Sequence, residues 1–519
     1  MKRAALFALA SILVPLTLHA APTLVILGGK IFTNDPAKPF VQALAIEGNK
    51  IVAVGTDEEI QALGGDAHTR RMRLGGAVVI PGINDAHTHP GVGPAGLGIA
   101  TDRESTKADL VAALAGAVDE APPDLWLIGQ IGRPIMLDET VNRALLDQLA
   151  PNRKVLLRSF TGHGTIVSSR ALQEAGITDT VIDPPGGRYG RNPDGMLNGR
   201  VFEYAEYALI RKVAKLTAAP GGLVTALQDF SNQALRFGIT SIQAMPFDED
   251  DATFSAALQQ AGIPLRVRHI FVPLNVPPSS LPSGTDGIKW VLDGTPLEKG
   301  AALRASYPDG GGSGTLNFTN LAPLIKAGTS TNQQLLFHAS GDNAIATLFK
   351  FMANTPSVNW PSLRPRVEHA DGLLGDLDAQ AKSLGVVAVL NPTHFEARPL
   401  FPTGRFMRAK SLLTIPIRVA LGSDGPLNPY LNIMLAVSRP DGNLREALSR
   451  EEAVAAYTLG SAFAEKRDDK GVLAPGKLAD LAVLSQDIFT CPIGQLPNTV
   501  SILTIINGKI VLDQPAPAP

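Results

Sequence analysis

The chain has 519 residues, a formal net charge of −2, 45% apolar residues and 18% charged residues. The apolar share supports a large buried core and excludes wholesale disorder, and the length calls for more than one average domain. The balanced charge provides no field to hold a nucleic-acid backbone or an anionic membrane. Cys491 is the single cysteine, which excludes an intrachain disulfide and a cysteine-based metal cluster and turns the search for ligands to His, Asp, Glu and Lys.

In chain order, Lys2 and Arg3 precede the apolar run Ala4 to Leu16, which closes at Leu18-His19-Ala20. This layout predicts a secretory signal over residues 1–20, cleaved after Ala20, and an exported, periplasmic chain with no membrane attachment afterwards. From Leu24 the runs LVILGGKIFTND and VQALAIEGNKIVAVG read as short strands, with a turn at Glu47-Gly48-Asn49. LADLAVLSQD and VSILTIINGKIVLDQ repeat that style near the other end, with an Asn507-Gly508 turn. These ends predict a β-sandwich built from 21–80 and 466–513, followed by a disordered tail at 514–519.

Residues 81–465 alternate apolar strand-like runs with helical stretches, the pattern of parallel βα units. The strand candidates are AVVIPGINDAHTH, WLIGQIG, VLLRSFTGH, ITSIQAM, LRVRHIFV, GIKWVLDG, QLLFHASG, RPRVEHA, VVAVLNPTH and RVALGSDGP. They number two more than a (β/α)8 barrel needs, and WLIGQIG and LRVRHIFV are its weakest members. The Gly-rich stretches Asp183 to Arg200 and Tyr307 to Phe318 lack periodicity and predict loops at the mouth. Ser449 followed by Glu452 opens SREEAVAAYTLGSAFA as a capping box.

Polar groups at the C-terminal ends of parallel strands converge on one mouth. His87 and His89 end one run at an i, i+2 spacing that points both rings to the same face. Alone, that pair fits a structural role equally well. His338, His369 and Asp424 end three further runs, however, and together these residues make a ligand set. In GIKWVLDG, Ile288, Trp290 and Leu292 face one side while Lys289, Val291 and Asp293 face the other. A lone buried ammonium is costly, so Lys289 either pairs with Asp293 or reacts with CO2 to give an anionic, bridging carbamate.

The motifs GGKIFTND, AIEGNKIVAVG, PGINDAHTH, IKWVLDG, HASGDNAI, RVEHA, GSDGPLNP and GVLAPGKLADLAVL together resemble the amidohydrolase superfamily, in the branch related to N-substituted formamide deformylases. The resemblance spans nearly the whole chain after residue 20. It implies an α/β fold, a distorted (β/α)8 TIM barrel with a smaller β-sandwich made from both termini, and metal-dependent hydrolysis of carbon–nitrogen bonds other than peptide bonds. It assigns His87, His89 and Asp424 to one divalent metal and His338 and His369 to a second, with carbamylated Lys289 bridging them. Some relatives hold one ion. Zinc suits such ligands, as do manganese and iron. A bound metal activates water and polarises the scissile carbonyl, with Asp424 as proton shuttle. His163 matches a position near substrate and is assigned to the oxyanion, while Glu203, Asn391 and His394 are assigned to the pocket. The expected partner is a small-molecule substrate, and a homodimer is compatible with the chain. Asn343 stands where the family often carries Arg, and Asn391-Pro392 where it often carries Gln-Pro. A lactone or ester hydrolase on the same site, and a noncatalytic periplasmic binding protein on the same fold, are the rival readings; the complete ligand set disfavours the second.

Overall fold

A computed structural model of the protein describes residues 21–64, 68–276, 278, 282, 284–331 and 333–515. The signal segment expected at 1–20 and the end of the tail lie outside the described residues. Among those described, no helix is long and apolar enough to cross a membrane.

Eight parallel strands position the candidate site: β1 (Ile83–Thr88), β2 (Ile239–Ala244), β3 (Arg266–His269), β4 (Ile288–Val291), β5 (Leu335–Ala339), β6 (Arg366–His369), β7 (Val387–Leu390) and β8 (Arg418–Leu421). They form two sheets, ordered β3-β2-β1 and β4-β5-β6-β7-β8. Nearly every residue in them is buried, as expected of parallel strands covered on both faces. One face carries Ile242, Trp290, Phe337, Val367, Ala388 and Leu421 into a large apolar cluster. That cluster also takes Leu227, Phe254, Leu348, Leu412 and Ile433 from intervening helices.

The two sheets meet at both margins. Phe271, just past β3, pairs in parallel with Ile288 of β4, and the Lys289 N–H donates to the Phe271 carbonyl at 2.8 Å. At the other margin the Asp424 N–H donates to the His87 carbonyl at 3.0 Å. There Asp85 Oδ1 accepts the N–H groups of Ser423 and His87 at 2.9 and 3.1 Å. Burial pushes the Asp85 carboxyl up to about 6, against these hydrogen bonds.

Strands from both termini share one sheet, in which Val78–Pro81 pairs antiparallel with Leu481–Leu484. Leu24, Leu44 and Ile51 of a second sheet pack with Val79, Leu481 and Ile505 in one apolar cluster. The Asn507-Gly508 turn reads directly from sequence, since both residues take positive φ, 54° and 70°, as the tight hairpin demands. Ser449 and Glu452 form the expected capping box, but the helix it opens ends at Ala455 and continues as a π-helical turn over Ala456–Gly460 before Ser461–Ala464.

Three strand and loop expectations require correction. LRVRHIFV supplies β3 and sits among the eight, whereas WLIGQIG and VLLRSFTGH supply Trp126–Ile131 and Lys154–Ser159 of a separate six-stranded sheet. The reason is local: Lys154–Ser159 is followed at once by an antiparallel partner, Gly164–Val167, so its edge is already paired. AVVIPGINDAHTH is two strands, broken at Pro81-Gly82, the first in the terminal sheet and the second β1. The stretch read as a loop at Asp183 to Arg200 contains a hairpin, Gly187–Arg191 with Leu197–Glu203. Its turn carries Gly195 at φ 87°, and Asp183 Oδ1 accepts the Tyr189 N–H at 2.8 Å.

Candidate metal centre

The five residues picked out by their strand-end positions, and Lys289, picked out by its inward direction, come together. His87 and His89 point the same way from the end of β1, with their Nε2 atoms 3.1 Å apart. Asp424 Oδ1 lies 3.0 Å from His89 Nε2 and 3.5 Å from His87 Nε2. Asp424 Oδ2 faces His369 Nδ1 at 3.5 Å, and His369 Nε2 lies 2.8 Å from His338 Nδ1. Lys289 Nζ is 3.0 Å from His87 Nε2 and 5.0 Å from the Phe247 ring centroid. Ligand atoms of His87, His369 and Asp424 all fall within 4.8 Å of one another.

Backbone conformation delivers two of these groups. His369 and Asp424 take positive φ, 69° and 41°, a region that costs L-residues energy and that the surrounding fold must impose. At His369 this breaks the strand alternation and turns the ring toward the mouth. Gly422 makes the approach of β8 to β1 feasible, because a Cβ there would lie 2.5 Å from both the Cβ and the N of His87. Gly422→Ala is therefore expected to lower stability by about 1–3 kcal/mol, the usual cost of overpacking, and to reduce bound metal as His87 is displaced. Denaturant unfolding and metal analysis check this, and wild-type values in both would refute the close-packing argument.

The hydrogen-bond pattern tests whether these residues suit a metal. His87 Nδ1 lies 2.6 Å from Glu368 Oε2, and His89 Nδ1 lies 2.7 Å from the Met245 carbonyl. Both partners only accept, so both Nδ1 atoms carry a proton and the Nε2 atoms are the ones turned toward Asp424. Two imidazole nitrogens and a carboxylate oxygen face one another, with the Lys289 amine 3.0 Å from His87 Nε2, a set of ligand types that suits a cation. Buried His338 Nε2, without a hydrogen-bond partner among the described residues, adds a further unsatisfied nitrogen. The donor set fits a divalent ion.

Electrostatics agrees. Burial and then the Lys289 charge push His87 down to about 4. Burial together with neighbouring imidazoles holds His338 and His369 well below the ordinary histidine value. Burial opposes ionisation of Asp424, but attraction to His87 and hydrogen bonds from His394 and His89 outweigh it and hold the carboxyl well below its usual range. Neutral imidazoles beside an ionised carboxylate are the forms that ligate.

Asp293 is not the partner of Lys289. Its carboxylate accepts the N–H groups of Ala302, Ser340 and Gly341 at 2.8–3.0 Å, and burial raises it to about 8. Its oxygens are taken by backbone at the end of the strand, out of the direction of the amine. Lys289 is held instead beside His87, where burial pushes its amine down to about 8.

The residues assigned to the pocket divide. The His163 ring lies 4.7 Å from that of His338 at a tilt of 49°, and its Nδ1 lies 3.0 Å from Glu203. Burial opposes its ionisation, but the Glu203 carboxylate raises its pKa above the ordinary value. Glu203, at φ 56°, also accepts from Tyr207 Oη and Asn317 Nδ2, each at 3.1 Å. His394 lies closer to the ligands than expected: it stacks on His369 at 4.7 Å, with Nε2 3.4 Å from Asp424 Oδ2 and Nδ1 3.3 Å from Asp371. Asn391 is buried, with Oδ1 2.9 Å from His369 Nδ1 and Nδ2 donating to the Gly422 carbonyl at 3.0 Å, so its polar atoms are engaged within the protein beside His369.

Sequence reasoning missed Glu368, Arg366, Asp85 and the Met245 carbonyl. The signal for the first two was present: Arg366 and Glu368 alternate along β6, which puts two opposite charges on its inward face.

Comparisons with known proteins agree with this geometry. The model of the amidohydrolase family matches residues 73–512. YtcJ of Bacillus subtilis (strain 168), which carries an amidohydrolase name, is 28% identical over 94% of this chain and 99% of its own length. The N-substituted formamide deformylase of Arthrobacter pascens is 24% identical over 94% and 98%. A metal-dependent hydrolase of Pyrococcus horikoshii OT3 shares the fold, with a TM-score of 0.66 at 20% identity and coverage of 91% and 99%. With a family match across most of its length, a hydrolase fold and a His/His/Asp group suited to metal, the chain belongs to the amidohydrolase family.

Proposed function

We propose that the protein is a metal-dependent hydrolase of a carbon–nitrogen bond other than a peptide bond, acting on a small molecule. The observation that carries this is the convergence of the Nε2 atoms of His87 and His89 on Asp424 Oδ1. The eight strands are read as a distorted (β/α)8 barrel spanning 81–465. Their common direction and the contacts at both margins, Phe271 with Ile288 and Asp424 with His87, support that reading.

His87, His89 and Asp424 would hold one ion and His338 and His369 a second, with zinc favoured by imidazole and carboxylate ligands. When bound, such an ion supplies Lewis acidity toward water and the scissile carbonyl. Lys289 would serve as a further ligand in the form of a carbamate: its nitrogen would attack CO2, form an N–C bond and release a proton. Burial beside His87, with no carboxylate salt bridge to it among the described residues, supports this role.

The remaining steps belong to side chains. Asp424 Oδ2 takes the proton of the attacking water and returns it to the leaving nitrogen. His163, held through Nδ1 by Glu203, turns its other nitrogen toward the oxyanion. The relation to N-substituted formamide deformylase favours amides over lactones. Purified protein assayed against formamides, N-acyl amines, N-acyl amino acids, cyclic ureas and lactones tests the proposal. Turnover of an amide-type substrate is expected, and turnover confined to lactones would overturn the bond assignment.

A further inference from the structure

We infer that Glu368 is the positioning residue that makes His87 a ligand, and that Arg366 holds Glu368 in that role; the inference rests on the metal site proposed above. Both side chains are completely buried. Arg366 Nε donates to Glu368 Oε1 at 2.7 Å and Arg366 Nη2 to Glu368 Oε2 at 2.9 Å, the paired geometry that guanidinium and carboxylate share. Glu368 Oε2 then faces His87 Nδ1 at 2.6 Å.

The remaining donors of Arg366 are also used. Nη1 donates to Gln243 Oε1, and Nη2 to the Ala86 carbonyl at 2.7 Å. One buried guanidinium thus joins β6 to β2 and to the backbone of β1 immediately before His87. The ring is fixed at Nδ1 by Glu368, and the His87 N–H is fixed by Asp85. β6 therefore serves the site twice: Glu368 orients a ligand of one group while His369, turned by its positive φ, supplies a ligand of the other.

A carboxylate has only acceptors to offer. Facing Nδ1, it forces the proton onto that atom and leaves Nε2 bare toward Asp424. A glutamine of the same shape cannot do both jobs. If its oxygen faces His87, its NH2 group meets the N–H donors of Arg366. If its oxygen faces Arg366, its NH2 group meets Nδ1, drives the proton to Nε2 and blocks ligation.

Glu368→Gln in metal-stripped protein is the test, with zinc affinity read by competition against a chromophoric chelator. A 10- to 100-fold weaker Kd is expected, the usual effect of removing such a partner, with near-ultraviolet circular dichroism unchanged. The single variant strands a buried guanidinium, so Arg366→Met/Glu368→Leu provides a second test, because replacing a buried ion pair by apolar groups on both sides is often neutral to folding. A purely structural role would change stability and leave zinc affinity alone. Wild-type Kd in either folded variant would overturn the inference, whereas failure of the wild-type protein itself to bind zinc would overturn the metal site beneath it.

Discussion

Replacing Asp424 by asparagine is expected to lower kcat about 10²- to 10⁴-fold, the range over which a positioned general acid–base group contributes. Asparagine preserves size and keeps one oxygen for the ligand position near His89 Nε2, at 3.0 Å in the wild type. It removes the basic Oδ2, which faces His369 and His394. At about 1.4 kcal/mol per tenfold change in rate, the loss corresponds to roughly 3–5 kcal/mol of transition-state stabilisation. The matched measurement is kcat, metal content and circular dichroism on the same preparation. A folded, metal-loaded Asp424→Asn protein with near wild-type kcat would exclude Asp424 as proton carrier.

Much of the site was legible in the sequence because parallel strands bring their C-terminal ends together. His87, His89, His338, His369 and Asp424 stood at such ends and meet, with Lys289, within one cluster. The inward direction of Lys289 followed from simple alternation, with Ile288, Trp290 and Leu292 in the outer apolar cluster. What alternation could not supply was the exception. His369 and Asp424 reach the mouth through left-handed backbone, which no periodicity encodes. Nor does spacing reveal that Asp293 would spend its oxygens on three backbone N–H groups. Asn391 and His394 lie three residues apart at the start of a short 3-10 helix, yet one faces His369 Nδ1 and the other Asp424.

The fold divides in the same way. Tight-turn chemistry at Asn507-Gly508 and the capping box at Ser449 are local and were readable. Strand pairing is not written in the composition of a single run. LRVRHIFV and VLLRSFTGH look alike as apolar runs, but Arg266–His269 finds parallel β2 and Lys154–Ser159 finds an antiparallel neighbour. The hairpin inside Asp183 to Arg200 was hidden by its glycines, which read as loop and here serve a turn.

Metal analysis with chelation tests the central claim most directly. The Nε2 atoms of His87 and His89 meet Asp424 Oδ1, the set of ligand types a divalent cation would occupy. Loss of Lewis acidity removes several kcal/mol of transition-state stabilisation, or about 10³-fold or more in rate. The purified protein is expected to carry one or two divalent ions per chain, to lose them and its hydrolytic activity together on exhaustive chelation, and to recover both on addition of zinc. A metal-free protein whose activity survives chelation unchanged would contradict the account.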